Sequence, residues 1–263
     1  MPSKLFFTTL TIFLLFKNCT PKFSTQSYLN EIVIINAKKL NRNAIAKLIE
    51  YSSEAKVIGV NFRFLKATTE NQLFLKTIRT YQDKLIFPAV LIGCDATNDF
   101  VRCDSLEATF FQTSDTKMGV FNFFFPSDEA YLRGDDLISY NECTLYRNDT
   151  ISHFSMRIVE SYSSQTFNKC KLAQQITNIY PQQDFTVIDG EQLLENPAKY
   201  HSAFNNKIVL IGFLGEHSDR KPSESYIDED YNTMYRKYYT VLLANHIVHL
   251  LKEYEVPIVS AEE

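Results

Sequence analysis

Short apolar runs alternate along this chain with stretches in which apolar residues recur at helical spacing. Ile32-Val33-Ile34-Ile35 is a continuous, mostly β-branched run between Glu31 and Asn36, which predicts a fully buried strand. Residues 41–52 put Ala44, Ile45, Leu48 and Ile49 on one side of a helix, with Asn41 or Asn43 as cap. A second strand is expected over 57–64. A helix follows over 70–80, with Leu73, Phe74 and Ile78 inward, and a third strand over 85–92. Strand, helix, strand, helix, strand at this spacing implies a parallel sheet with crossover helices.

The middle is less regular. VFNFFF at 120–125 predicts an aromatic-rich strand, and 144–146 a further one. Residues 152–162 carry Phe154, Ile158 and Val159 at helical spacing, with His153 at the start of that helix. Short strands are expected over 176–180 and 185–188, and a short helix from 191 that ends near Pro197. KIVLI at 207–211, closed by Gly212, is continuously apolar, which predicts a central strand buried on both faces. A polar loop over 216–233 precedes the last helix, 241–254. That helix carries Leu242, Leu243, Ile247, Val248, Leu250 and Leu251, a stripe broader than the usual face of about 100°. The surplus near Leu251 and Tyr254 needs cover, from a protein partner, from self-association or from the domain's own middle. No internal repeat or second linker appears. The expected fold is therefore a single α/β domain with a mostly parallel central sheet flanked by helices.

The first 19 residues differ from the rest. Lys4 precedes the uncharged run LFFTTLTIFLLF, residues 5–16. Twelve helical residues rise about 18 Å, too short for a hydrocarbon core of roughly 30 Å. A positive start before such a stretch reads as a signal peptide; the alternative is a buried helix. Cys19 follows almost at once, where a lipoprotein carries its lipid anchor, although Lys17 and Asn18 stand where small residues are expected. The expected organisation is a leader over 1–19, a linker over 20–29, one domain over 30–256 and a tail over 257–263. The chain is expected to be exported, periplasmic or anchored facing outside the cytoplasm, and to touch a membrane only through its N-terminus.

Charge and composition narrow the chemistry. The net charge is −4 with no basic patch, which disfavours nucleic acid. Seven glycines in 263 residues argue against Gly-rich phosphate loops, and no cofactor is expected. No G-x-S-x-G occurs. His153, His201, His217, His246 and His249 are scattered. His246 and His249 are three apart but lack a third metal ligand. Asp135-Asp136 and Asp228-Glu229-Asp230 lack the spacing of a calcium loop. Neither a catalytic centre nor a metal site is expected. In an exported chain Cys94, Cys103, Cys143 and Cys170 are either disulfides or buried thiols. Cys94 and Cys103 flank a polar turn and could close a hairpin.

Ligands of open α/β sheets bind beyond the carboxyl ends of the parallel strands. Here those positions supply Asn36, Asn61, Arg63, Asp95 and the stretch Glu216, His217, Ser218, Asp219 and Arg220. They form either a pocket or strand ends that face solvent. Two competing readings are an exported hydrolase using the loop 216–220 and a scaffold that docks through the last helix.

Four segments resemble a known family, the type-two extracellular sensory domain associated with cyclases and histidine kinases (CHASE type two). EIVIINAKKLNRNAIAKLIEY followed by AKVIGVNFRF is similar to its opening strand, helix and strand. KMGVFNFFF is similar to its "G-x-x-N" strand, DFTVIDGEQLLENPAKYHSAFNNKIVLIGFLG to its late "GKIVLIG" segment, and MYRKYYTVLLANHIVHLL to its "MxGVxxHAN" helix. The likeness covers about residues 30–254. It implies an extracytoplasmic sensory module for a small-molecule or peptide ligand, and adds Asn245 to the candidate ligand residues. Asn36 and Asn61 stand where relatives often carry Asp, Leu243 replaces the His of "HAN", and Arg236 replaces the Gly of "MxG". Relatives continue into membrane helices and an output, whereas nothing apolar enough to span follows Tyr254. A stand-alone form is therefore expected.

Overall fold

The computed structural model describes residues 23–38, 40–66, 71–97, 100–109, 111, 116–121, 123–124, 138–146, 149–167, 171, 174–176, 179–214 and 239–258. The leader, Cys19, the loop 216–220 and both acidic clusters lie outside them.

The apolar runs form the middle of one sheet. β1 (Ile32–Asn36), β2 (Val57–Val60), β3 (Leu85–Thr97), β11 (Thr186–Asp189) and β12 (Ile208–Gly212) run parallel in the order β11-β1-β12-β2-β3. β4 (Phe100–Glu107) closes an antiparallel hairpin on the far half of β3, and β5 (Met118–Val120) pairs in parallel with residues 87–89 of β3. β12 sits between β1 and β2 and all five of its residues are buried, as its unbroken apolar run predicts.

Strand alternation splits the core into two layers. Ile32, Ile34, Val57, Ile208 and Leu210 face α1 (Thr25–Asn30), α4 (Phe154–Ser163) and α6 (Tyr239–Glu253). Val33, Ile35, Val60, Val209 and Ile211 face α2 (Arg42–Tyr51), α3 (Asn71–Tyr81) and α5 (Gly190–Glu195). The result is a helix–sheet–helix sandwich, the fold class expected. Asn41 caps α2, its side chain accepting from the Ala44 N–H at 2.9 Å, a contact worth about 1 kcal/mol.

Smaller strands lie beside this core. β6 (Phe123–Phe124), β7 (Ile138–Tyr140) and β10 (Gln174–Ile176) form an antiparallel sheet in the order β10-β7-β6, and β8 (Cys143–Tyr146) pairs with β9 (Asp149–Ser152). The expected single strand 120–125 is thus divided between two sheets. β5 passes so close to α4 that a Cβ on Gly119 would lie 2.5 Å from the Phe154 Cα. The chain then leaves β3 after Val120, which bridges to His153.

Other expectations are corrected. The strand over 57–64 stops at Val60, because the Phe62 N–H turns back onto the Val60 carbonyl at 2.9 Å. Phe64 then packs among Phe74, Phe87 and Phe111 instead. Leu73 points outward, since Phe74 and Ile78 already fill the inner face of α3. Ser152 ends a strand, and His153 caps the helix that follows. The segment read as a linker contains α1, whose Tyr28 and Leu29 are buried against the α6 layer. The broad stripe of α6 is covered within the fold, with Tyr254 partly buried. Leu242, Leu243, Ile247, Val248, Leu250 and Leu251 are all buried, in one cluster with α1, α4, Val256 and Ile258. Of the sources of cover expected, the domain's own residues supply it for these six side chains. β3 and β4 form the hairpin expected between Cys94 and Cys103, whose backbones stand directly opposite.

Candidate functional site

The parallel strands β1, β12 and β2 end side by side, with Asn36 opposite Gly212 and Ile211 opposite Val60. The side chains just beyond them control one connection, that between β12 and α6. Asn36 Oδ1 accepts from the Leu214 N–H at 3.2 Å, where the chain leaves β12. Asn61 Nδ2 donates to Thr240 Oγ1 at 3.1 Å, where the chain enters α6. The Thr240 hydroxyl in turn donates to the Phe213 carbonyl at 3.1 Å. Gly212 leaves room for this arrangement, since a Cβ there would sit 2.3 Å from Thr240 Oγ1. The two asparagines therefore hold both ends of the connection 215–238, which carries Glu216, His217, Asp219 and Arg220.

Beside them Lys38, in the left-handed region with φ 43°, reaches Asp189 at 2.8 Å and Glu191 at 3.1 Å. Burial acts to raise the Asp189 carboxyl, but the Lys38 ammonium and two α5 N–H groups outweigh it and hold the carboxyl below its ordinary value. Asp189 caps α5 through those same N–H groups.

The remaining candidates stand apart from this cluster. Arg63 pairs with Glu107 of β4 at 2.5 Å. Asp95 lies opposite Arg102 in the far half of the β3–β4 hairpin. Asn245 is buried in α6 and spends its amide within the fold, on the backbone N–H and carbonyl of Tyr180 and on the Val241 carbonyl.

A second polar locus was not read as a unit from the sequence. His246 of α6 is fully buried, its ring centroid 3.7 Å from that of Tyr140 on β7 and 4.8 Å from that of His153. His249, one turn further on, contacts Glu253 at 3.3 Å, and Glu253 also pairs with Lys171. Buried Glu142 accepts from the Tyr254 hydroxyl at 2.7 Å and the Lys171 N–H at 3.0 Å. Burial raises the Glu142 carboxyl, although those two donors work against it. Burial likewise raises the Tyr140 and Tyr254 phenols, each with help from Glu142. The adjacent Cys143 is disulfide-bonded. Only the spacing of His246 and His249 hinted at this locus. Tyr140, Glu142 and His153 arrive from other segments.

Among the described residues no group of three His, Cys, Asp or Glu side chains could hold a metal ion. No helix among them is long and apolar enough to cross a membrane. Neither the curated proteins nor the solved structures yield a match. The CHASE2 domain, by contrast, matches residues 25–255, nearly the whole of the sequence. The match takes in the sheet, both helical layers and the strand-end cluster, and the chain belongs to the CHASE2 domain family, a family of extracellular sensory domains.

Proposed function

We propose that this domain works outside the cytoplasm as a ligand-binding sensor, and that its ligand, a small molecule or a peptide, is held at the carboxyl ends of the parallel strands. The observation that carries this reading is the double tether of the connection 215–238, by Asn36 at its start and by Asn61 through Thr240 at its end. Glu216, His217, Asp219 and Arg220 supply both signs of charge to that connection, and open α/β sheets bind ligands at this edge. A ligand acts on a protein only through unequal affinity for its conformations. One that prefers a particular arrangement of the connection pulls on Thr240, and so on the first turn of α6. The domain binds and reports, and performs no chemistry. In this reading the residues before Thr20 direct export, with Cys19 as the lipid-bearing anchor.

The test is a thermal-shift screen of the full chain against amino acids, short peptides, sugars, nucleotides and divalent cations. A true ligand at about a hundred times its dissociation constant stabilises by about 2.7 kcal/mol. At least one compound should raise the melting temperature of the wild type by several degrees, and do so less for Arg220→Ala. If no compound shifts the wild type, or if Arg220→Ala and His217→Ala both respond like the wild type, the proposal fails.

A further inference from the structure

We propose that the imidazoles packed where α4, β7 and α6 meet form a proton-responsive latch: neutral, they fix the C-terminal half of α6 to the domain, and protonated, they release it. The latch goes beyond ligand sensing at the strand ends. It lies further along α6 and needs no ligand other than the proton.

The geometry brings three elements together through closely packed rings. His246 is fully buried between Tyr140 of β7 and His153, which caps α4. A charge there would sit in a low-dielectric interior beside two further imidazoles. His153 uses a ring lone pair within the fold. Its Nδ1 accepts the Ser155 N–H at 3.2 Å and so caps α4. Protonating Nδ1 removes that lone pair and sets a cation at the positive end of a helix. His249 is half-buried one turn beyond His246, on the same side of α6.

Among the described residues, charged and titratable groups reach the rings from several elements. Tyr140 comes from β7, Glu142 from the turn before β8, Lys171 from the chain before β10, and Lys252, Glu253 and Tyr254 from the end of α6. Burial, with His153 and His249 as neighbours, drives His246 well below the ordinary 6.5. Burial also lowers His249, with Lys252 and Lys171 helping and Glu253 opposing.

Near pH 6.5 and below, the unfolded chain binds protons at both positions more readily than the folded chain does. The histidine contribution to stability is therefore complete above that pH and falls as the pH drops below it. Glu142 acts the other way. Burial raises its carboxyl, so its stabilising effect is present in acid and lost as the pH rises through its raised folded value. That term is common to wild type and histidine variants and cancels in their comparison.

The test is thermal and urea unfolding of the full chain from about pH 7.5 to about pH 5, with hydrogen exchange followed in α6. The unfolding equilibrium constant of the wild type should rise by up to about tenfold per pH unit for each histidine involved. Exchange at Ile247–Glu253 should accelerate before the rest of the core. His246→Phe, which keeps a ring in place, should lose a tenfold-per-unit share of that slope. Equal slopes in variant and wild type would overturn the latch. If His246→Phe does not fold, the wild-type imidazoles are followed by NMR. A His246 ring that stays neutral until α6 opens supports the proposal, and one that titrates near pH 6.5 in the intact fold overturns it.

Discussion

Asn61 shows how one amide can serve an element it does not belong to. Its Nδ2 reaches Thr240 across a sequence separation of 179 residues, and Thr240 passes the contact to Phe213. Asn61→Ala should cost about 1 kcal/mol, read as a lower urea midpoint with an unchanged slope. The first turn of α6 should also exchange faster. An unchanged midpoint would mean that the tether is not made in solution. The polar strand ends Asn36 and Asn61 were legible in the sequence because each follows an unbroken apolar run. Their partners were not, because Leu214 and Thr240 become neighbours only when β12 inserts between β1 and β2. The ring cluster was less legible still. Tyr140, His153 and His246 come from segments with no common period, and only the folded topology joins them.

At the scale of the elements, continuous apolar runs were the most reliable guide. Residues 32–35 and 208–211 form strands with both faces buried, in the layers that their alternation requires. Val209→Asp would place a carboxylate among Val33, Ile35 and the α2 and α5 layers, at a cost of several kcal/mol. A variant that melts cooperatively near the wild-type temperature would contradict the central position of β12. Aromatic runs misled. VFNFFF reads as one strand because every residue but Asn122 is apolar, yet its two halves serve different sheets, and Gly119 marks where the chain presses on α4. The breadth of the α6 stripe was read correctly, but its meaning depended on distant pieces. Tyr28, Leu29, Val256 and Ile258 cover it, and none of these lies within the helical pattern itself.

For the whole molecule, the order β11-β1-β12-β2-β3 makes the connection between β12 and α6 the hub. It starts at the centre of the carboxyl edge and ends in α6, which packs in the layer of α1 and α4. Along that helix lie, in order, the Thr240 tether, the Asn245 clamp on Tyr180 and the histidine cluster. The α/β class and family likeness were visible in strand spacing and in the four quoted segments. The coupling of the strand ends to α6 was not, because it rests on contacts between chain regions far apart in sequence. The central claim is that a ligand at the strand ends acts on α6. Hydrogen exchange of the full chain tests it most directly, with and without each compound pool of the screen. The account predicts that at least one pool slows exchange at Tyr239 to Asn245, and that Asn61→Ala weakens this effect while leaving β1 and β12 protected. If no pool changes exchange in α6, or if the change is confined to other elements, the claim is wrong.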